Sequence, residues 1–210
     1  MIGNDVIDLK LASKESTILR KAVQDKIFTA AEKTRINNNA QPATIAWLCW
    51  SQKEAAYKIV NRMISYRFYA PNAFESCLTP IQDKVLSTMA EFVASDSNEP
   101  VPVNISLTGM VRYKEQTFYT LSFIDSDKII TVAAVNPDFV TVKQKISGLF
   151  DRLNQQDIIS SFLKNTGFEF YKDCRGIPFL KNESIPDLPA TLSHHGHYIS
   201  LAWKNHPGKD

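Results

Sequence analysis

Trp50-Ser51-Gln52-Lys53-Glu54-Ala55-Ala56-Tyr57-Lys58 lies inside a helical pattern that begins at Pro42. The pattern predicts a helix of about 20 residues. On this helix Glu54 shares a face with Trp47 and Trp50, because the three residues recur at spacings of three to four positions. Glu54 is therefore either a carboxylate held in a functional site or a chance charge at the edge of an amphipathic helix.

Two distant segments carry further polar groups. A short strand is predicted for the first segment, Ile2-Gly3-Asn4-Asp5-Val6-Ile7-Asp8-Leu9. A second strand, with a Ser-His pair near its end, is predicted for Ala190-Thr191-Leu192-Ser193-His194-His195-Gly196-His197-Tyr198. Asp5 could be a turn or cap residue, but an unpaired aspartate among apolar neighbours is costly, which favours a metal or cation partner. Asp8 is an odd number of positions away, so a flat strand would turn it to the opposite side.

These segments combine carboxylates with ammonium groups. Oxygen ligands for a hard cation beside phosphate-binding lysines are the groups that a phosphoryl-type transfer requires, because that chemistry depends on positioning and charge neutralisation. A zinc site of His194, His195 and His197 is a weaker alternative, since the three residues do not form the closed four-ligand set of a structural site. An acyl transferase built on Cys174 and a histidine is weaker still, because no motif activates that thiol.

Composition describes an ordinary globular chain of 210 residues, 44% hydrophobic and 22% charged. The 24 basic and 22 acidic residues give a net charge of +2 without a Lys/Arg run, so we do not expect nucleic-acid binding. No basic n-region, apolar h-region or 18-residue apolar run is present. With three widely spaced cysteines, this predicts a cytoplasmic protein that does not enter a membrane and keeps its thiols reduced.

The pattern along the rest of the chain is helices, strands, helices, strands, which predicts an α+β fold of two similar halves that meet near residue 137. The capping box Thr29/Glu32 predicts a helix start. The remaining elements are expected as strands at 101–107, 117–124 and 128–135, helices near 141–152 and 155–164, a strand at 167–172, a hairpin over 173–180, a Pro-rich connection at 186–189 and strands over 190–203.

Together the three segments resemble the 4′-phosphopantetheinyl transferase superfamily, which moves the phosphopantetheine arm of coenzyme A (CoA) onto a serine of a carrier protein. The family's motifs look like Gly-x-Asp-(Ile/Val), Trp-(Ser/Ala)-x-Lys-Glu-(Ala/Ser)-x-x-Lys and Ser-(Ile/Leu)-(Ser/Thr)-His. This chain has Gly3-Asn4-Asp5-Val6, the Trp50–Lys58 segment and Thr191-Leu192-Ser193-His194. The resemblance implies the family's two-half α+β fold, Mg²⁺ as cofactor, CoA as co-substrate, and an apo acyl or peptidyl carrier protein as partner.

The resemblance also implies roles for individual residues. Asp5 and Glu54 correspond to Mg²⁺ ligands, while Glu54, Lys58 and His194 correspond to the catalytic set, with Glu54 as ligand, base or both. The implied CoA contacts are Lys53, Lys58, Lys172, Arg175, Ser193 and His194. Ile7 stands where many long members carry a second carboxylate, so water is expected to fill that position.

Motif order suggests how the halves are arranged. The short, trimeric holo-acyl-carrier-protein-synthase type has the order Asp, Lys-Glu, Ser-His, which this chain shares. The long surfactin-synthetase-activating type has two fused halves, and the length of the present chain suggests the same. In that type, however, the Ser-His motif precedes the Asp motif. A circular permutation reconciles the two. It predicts a metal-binding half at 1–139, a CoA-phosphate-binding half at 140–210, a monomer with a site inside one chain, and close termini with Trp203 strand-adjacent to the Ile2–Leu9 segment.

Two functional classes fit these motifs. One is an active transferase that releases adenosine 3′,5′-bisphosphate, and the other is a non-catalytic module that binds carrier proteins on the same fold. The combination of Asp5, Glu54, Lys58 and His194 favours the transferase, because an adaptor has no physical need for that set.

Overall fold

The computed structural model describes residues 1–15, 17–64, 67–79, 94–95, 105–137, 142–148, 150 and 152–204. Within these ranges the chain forms five α-helices and two sheets, which confirms the α+β class. The helices are α1 (Leu9–Glu15), α2 (Lys21–Ile27), α3 (Ala30–Asn37), α4 (Pro42–Met63) and α5 (Gln155–Leu163), and a 3₁₀ turn spans Pro71–Ala73.

The two sheets draw on different parts of the chain. The strands are β1 (Ile2–Asp8), β2 (Phe74–Thr79), β3 (Ala94–Ser95), β4 (Ile105–Tyr113), β5 (Gln116–Ile124), β6 (Lys128–Ala134), β7 (Val142–Ser147), β8 (Glu169–Lys172), β9 (Pro178–Asn182), β10 (Ile185–His195) and β11 (Tyr198–Lys204). The first sheet has the order β1-β6-β5-β4-β2, and the second has the order β3-β7-β11-β10-β9-β8. Of the described strands, only the two-residue β3 enters the second sheet from before residue 140. The division into halves at 139 stays a prediction.

Helix α4 covers one face of the first sheet. Its small and branched residues Ala55, Ala56, Ile59 and Val60 are buried against Phe74, Val111, Phe118 and Ala133. Pro42 starts the helix at its first turn, where a missing N–H costs nothing. The predicted helix is confirmed and spans 22 residues.

The capping box is confirmed at the start of α3. Thr29 accepts from the backbone N–H of Glu32, and the Glu32 side chain accepts from the backbone N–H of Thr29. The meander β4–β5–β6 and the helix near 155–164 are also confirmed. The predicted strand residues 101–104 lie outside the described residues.

The helix predicted at 141–152 is wrong, because residues 142–147 form β7 and pair with β11. Val142, Gln144 and Ile146 are buried at a period of two, which is the spacing of a strand. The Pro-rich stretch 186–189 is likewise not a connection but the first part of β10. A register shift between Ile185 and Leu188 accommodates Pro186, which cannot donate to a regular ladder.

The expected pairing of Trp203 with the first strand is also wrong. Trp203 pairs with Ala190 in β10 and Lys143 in β7, whereas β1 pairs with β6. The free edge of β1 is instead hydrogen-bonded by side chains of β10. Burial, and then the charges of Lys204 and Arg62, lower the pKa of the Met1 amino group.

Candidate active site

Glu54 and Lys58 lie one turn apart on α4, and Lys58 contacts β1. The Lys58 Nζ donates to the carbonyl oxygen of Asn4 at 2.6 Å and stands 3.7 Å from the Asp5 Oδ1. The half-buried Glu54 carboxylate makes no hydrogen bond or ion pair with any described residue. Among the described residues, Glu54 is therefore a carboxylate on α4 without a hydrogen-bond or ion-pair partner.

Asp5 is the second carboxylate of this junction and is only 7% exposed. Its Oδ1 accepts from the Ser193 Oγ at 2.8 Å, whereas its Oδ2 is buried without a partner among the described residues. Burial raises the pKa of Asp5, although Lys58 and the hydroxyls of Ser193 and Ser51 counteract part of that shift. A buried carboxylate oxygen without a donor is an oxygen to which a cation could bind.

Charge repulsion connects the two carboxylates. Burial and the charge of Asp5 raise the pKa of Glu54 to about 7, against a smaller opposite effect of Lys58. Two carboxylates that repel each other could bind a hard divalent cation, which would neutralise both charges and coordinate the unpaired Asp5 Oδ2. The described residues contain no group of three or more His, Cys, Asp or Glu side chains that could hold a metal ion by themselves. Phosphate oxygens and water would complete the coordination, as is usual for Mg²⁺.

Asp8 does not join this pair. Its Oδ1 accepts from the backbone N–H groups of Lys10 and Leu11 at the start of α1, and its Oδ2 accepts from the backbone N–H of His197. A Cβ on Gly196 would stand 2.3 Å from the Asp8 Oδ2, and Gly196 has a φ of +55°. Asp8 thus fixes the β10–β11 turn, and only glycine suits the position that contacts it.

The Ser-His pair splits between the two faces of β10. Ser193 is buried and faces Asp5, whereas His194 is exposed on the other face, with the Phe150 ring centroid 4.7 Å from its own. Burial, and then the charges of Lys58 and Lys172, lower the pKa of His194. His194 therefore lies close enough to Lys58 of its own chain to sense its charge.

A basic cleft of about 310 Å³ opens between the second half of α4 and β10. β9 pairs with β10 only as far as Pro189. In the described part of the chain, no strand therefore lies between α4 and the residues of β10 that follow Pro189. The positively charged and imidazole side chains that line the cleft are Lys58, Arg62, Arg67, Lys172, Arg175 and His194. No carboxylate lines it among the described residues, and such a surface is complementary to a multiply charged anion.

Two of these side chains were not predicted from the sequence. Arg62 donates to the carbonyl oxygens of Pro178 and Ala190, and its guanidinium lies 5.0 Å from the Phe179 ring centroid. Arg67 lies beside Gly176, with its Nη2 3.5 Å from the Cβ position of that glycine. Arg62 follows Lys58 by one turn of α4, and that spacing could have identified it. No comparable local signal marks Arg67.

Lys53 is not brought to the cleft. Its ammonium is buried, lies 2.6 Å from the Glu32 Oε2 and donates to the carbonyl oxygens of Ile27 and Pro71. Burial lowers the pKa of Lys53, and the nearby Glu32 carboxylate opposes that shift. With its contacts satisfied inside the fold, Lys53 has a structural role in this geometry.

The remaining histidines do not support the zinc alternative. The His195 Nδ1 accepts from the backbone N–H of Asp8 at 2.9 Å, and its Nε2 lies 3.9 Å from Glu15. Cys174 is exposed beside the cleft residue Arg175, whose guanidinium is paired with Asp173. Among the described residues, these contacts bring no further zinc ligand to the histidines. They also bring no base to the Cys174 thiol.

Residues 1–100 match a sequence model of the 4′-phosphopantetheinyl transferase superfamily. The match spans the Asp5 and Glu54 motifs and ends before the Ser193-His194 motif. The match confirms, over those residues, the resemblance drawn from the sequence. No curated protein matches the chain. None of the helices in the described ranges has the length and apolar character needed to cross a bilayer.

Proposed function

We propose that the protein transfers the 4′-phosphopantetheine arm of CoA to a serine of an apo acyl or peptidyl carrier protein in a Mg²⁺-dependent reaction. The observation that carries this proposal is the unpaired Oδ2 of the buried Asp5, whose charge also raises the pKa of Glu54, next to a cleft that the described residues line with basic and neutral side chains only. A metal site beside an anion site is what a transfer from a pyrophosphate requires.

In this proposal the cleft binds the phosphates of CoA. Lys58, the residue common to both sites, neutralises the pyrophosphate, and His194 donates a ring N–H to a phosphate oxygen. Lys172 and Arg175 contact the 3′-phosphate or the pyrophosphate from the β8–β9 hairpin. Arg62 and Arg67 extend the same basic surface.

Asp5 and Glu54 would hold the magnesium ion, which supplies charge neutralisation at the pyrophosphate and polarises a phosphoryl oxygen. The carrier serine Oγ forms a bond to the β-phosphorus of CoA, and the bond from that phosphorus to the bridging oxygen breaks. The leaving group is adenosine 3′,5′-bisphosphate. Glu54 accepts the serine proton, directly or through a water molecule.

Mass spectrometry tests the transfer directly. The protein is incubated with CoA and each of several apo carrier proteins from fatty-acid, polyketide and peptide synthesis, with and without Mg²⁺. We expect one or more carriers to gain the mass of phosphopantetheine only when Mg²⁺ is present. If no carrier gains that mass while each still binds the protein, the chain is a carrier-binding module and the transferase proposal is wrong.

A further inference from the structure

The free edge of β1 is hydrogen-bonded by side chains rather than by a strand. The backbone N–H groups of Asn4, Val6 and Asp8 are directed to the side chains of Thr191, Ser193 and His195, at 3.2, 3.2 and 2.9 Å respectively. These three residues alternate along β10 and therefore lie on one face of it. We name them the β10 acceptor row.

Ser193 differs from the other two because it also contacts a carboxylate of the site. Its Oγ accepts from the Val6 N–H at 3.2 Å and donates to the Asp5 Oδ1 at 2.8 Å. A serine hydroxyl has a single proton, and the Val6 N–H occupies an acceptor position. The proton is therefore committed to Asp5.

This hydrogen bond determines which oxygen of Asp5 is available. With Oδ1 held by Ser193 and 3.7 Å from Lys58, Oδ2 remains without a partner among the described residues. The Asp5 side chain is buried, so few other orientations are open to it. Ser193 thus leaves one defined oxygen of Asp5, Oδ2, available to a ligand.

We infer that Ser193 is a positioning residue that orients the Asp5 carboxylate for a divalent cation, rather than a contact for CoA. The inference rests on the proposed function, because it takes Asp5 and Glu54 as the cation ligands. Hydrogen-bond partners of metal ligands typically change metal affinity by about 10- to 100-fold when they are removed. His194, the next residue along β10, faces the basic cleft, so one strand would serve both the cation and the phosphates.

The test uses Mn²⁺ alone as the probe, and the free ion is counted by electron paramagnetic resonance in the absence of CoA. Ser193→Ala is compared with Thr191→Ala, which also removes an acceptor from the β10 row but not a contact to Asp5. We expect Ser193→Ala to raise the Mn²⁺ Kd by about 10-fold or more, whereas Thr191→Ala changes it by less than about 3-fold. In the transfer reaction, Ser193→Ala should raise the KM for Mg²⁺ and leave the KM for CoA unchanged.

Equal effects of the two variants on the Mn²⁺ Kd, or a CoA KM that rises with Ser193→Ala, would overturn the inference. If Ser193→Ala does not fold, Ser193→Cys decides by the same comparison, because a thiol keeps the volume but is a weak donor. Asp5→Asn separates the two levels of the argument. If wild-type protein binds Mn²⁺ no better than Asp5→Asn, the metal site itself is wrong; if it binds better and Ser193→Ala and Ser193→Cys are both unchanged, only the role of Ser193 is wrong.

Discussion

A Cβ atom built on Gly3 would stand 2.0 Å from the carbonyl oxygen of Ala55 and 3.3 Å from the Cγ1 of Ile59. Strand β1 and helix α4 therefore approach each other at a distance that only glycine permits. Asp5 is two residues beyond Gly3, and Glu54 directly precedes Ala55. The close approach of the two backbones brings Asp5 near enough to Glu54 for its charge to raise the pKa of the Glu54 carboxyl.

Gly3→Ala should separate β1 from α4, because a backbone carbonyl cannot move aside as a flexible side chain does. We expect a loss of about 3 kcal/mol in the free energy of unfolding, measured by urea denaturation. The transfer rate should fall in the same variant as Asp5 moves away from Glu54. Gly148→Ala is the matched control, since its nearest neighbour would be a Tyr198 ring atom at 3.4 Å. A Gly3→Ala protein as stable as Gly148→Ala would contradict the close approach.

Lys53→Met and Lys58→Met should affect different properties, the first mainly the stability and the second mainly the KM for CoA. Lys53→Met leaves Glu32 buried without its ammonium partner, which should cost about 3–5 kcal/mol of stability with little change in the KM for CoA. Lys58→Met should raise the KM for CoA by about 10-fold or more, because this ammonium lines the cleft. It should cost less stability than Lys53→Met, because the Lys58 side chain is partly exposed and makes one hydrogen bond, to the Asn4 carbonyl, beside Asp5. Urea denaturation and steady-state kinetics measure both quantities. A Lys53→Met protein with normal stability and weak CoA binding would restore the phosphate contact suggested by the family motif.

The two lysines show how far local sequence reasoning extends. The helix, its register and the face of Glu54 follow from spacing within one segment, and they were predicted. The partner of Lys53 is Glu32 on α3, a residue distant in sequence, so the motif alone could not tell a buried ion pair from a phosphate ligand. The β7 strand was misread for a similar reason, since its alternation is short and only pairing with β11 makes it a strand.

Stability should depend on pH through Glu54 because its pKa in the folded protein is about 7, against an ordinary value of 4.5. A raised carboxyl pKa contributes stability below pH 4.5, and that contribution is lost as the pH rises through about 7. The loss is at most about 3 kcal/mol, and the raised pKa of Asp5 acts in the same direction. Glu54→Gln should flatten this decline while abolishing most of the transfer activity, which distinguishes it from a variant that merely unfolds.

Mg²⁺ should reverse this loss, because the ion neutralises the two carboxylates that repel each other. Differential scanning calorimetry should therefore show a larger rise in Tm with Mg²⁺ at pH 8 than at pH 5, where Glu54 is protonated more of the time. Asp5→Asn should remove most of that difference. A Tm that responds equally to Mg²⁺ at both pH values would contradict the assignment of the ion to this pair.

His194 should change its protonation when the cleft is filled. Without an anion, burial and the charges of Lys58 and Lys172 hold the pKa of His194 below its ordinary value of 6.5, so the imidazole is neutral at pH 7. A bound phosphate adds negative charge beside the ring and favours the charged form, so the pKa should rise. Titration of the ring carbon signals by nuclear magnetic resonance, with and without saturating adenosine 3′,5′-bisphosphate, measures the change. By linkage the ligand should bind more tightly at pH 6 than at pH 8, and His194→Ala should weaken binding and reduce that pH dependence.

Because His197 is exposed in the β10–β11 turn, outside the residues that line the cleft, its signals should not move when ligand is added. An unchanged His194 titration at saturating ligand would place the phosphates elsewhere on the basic surface.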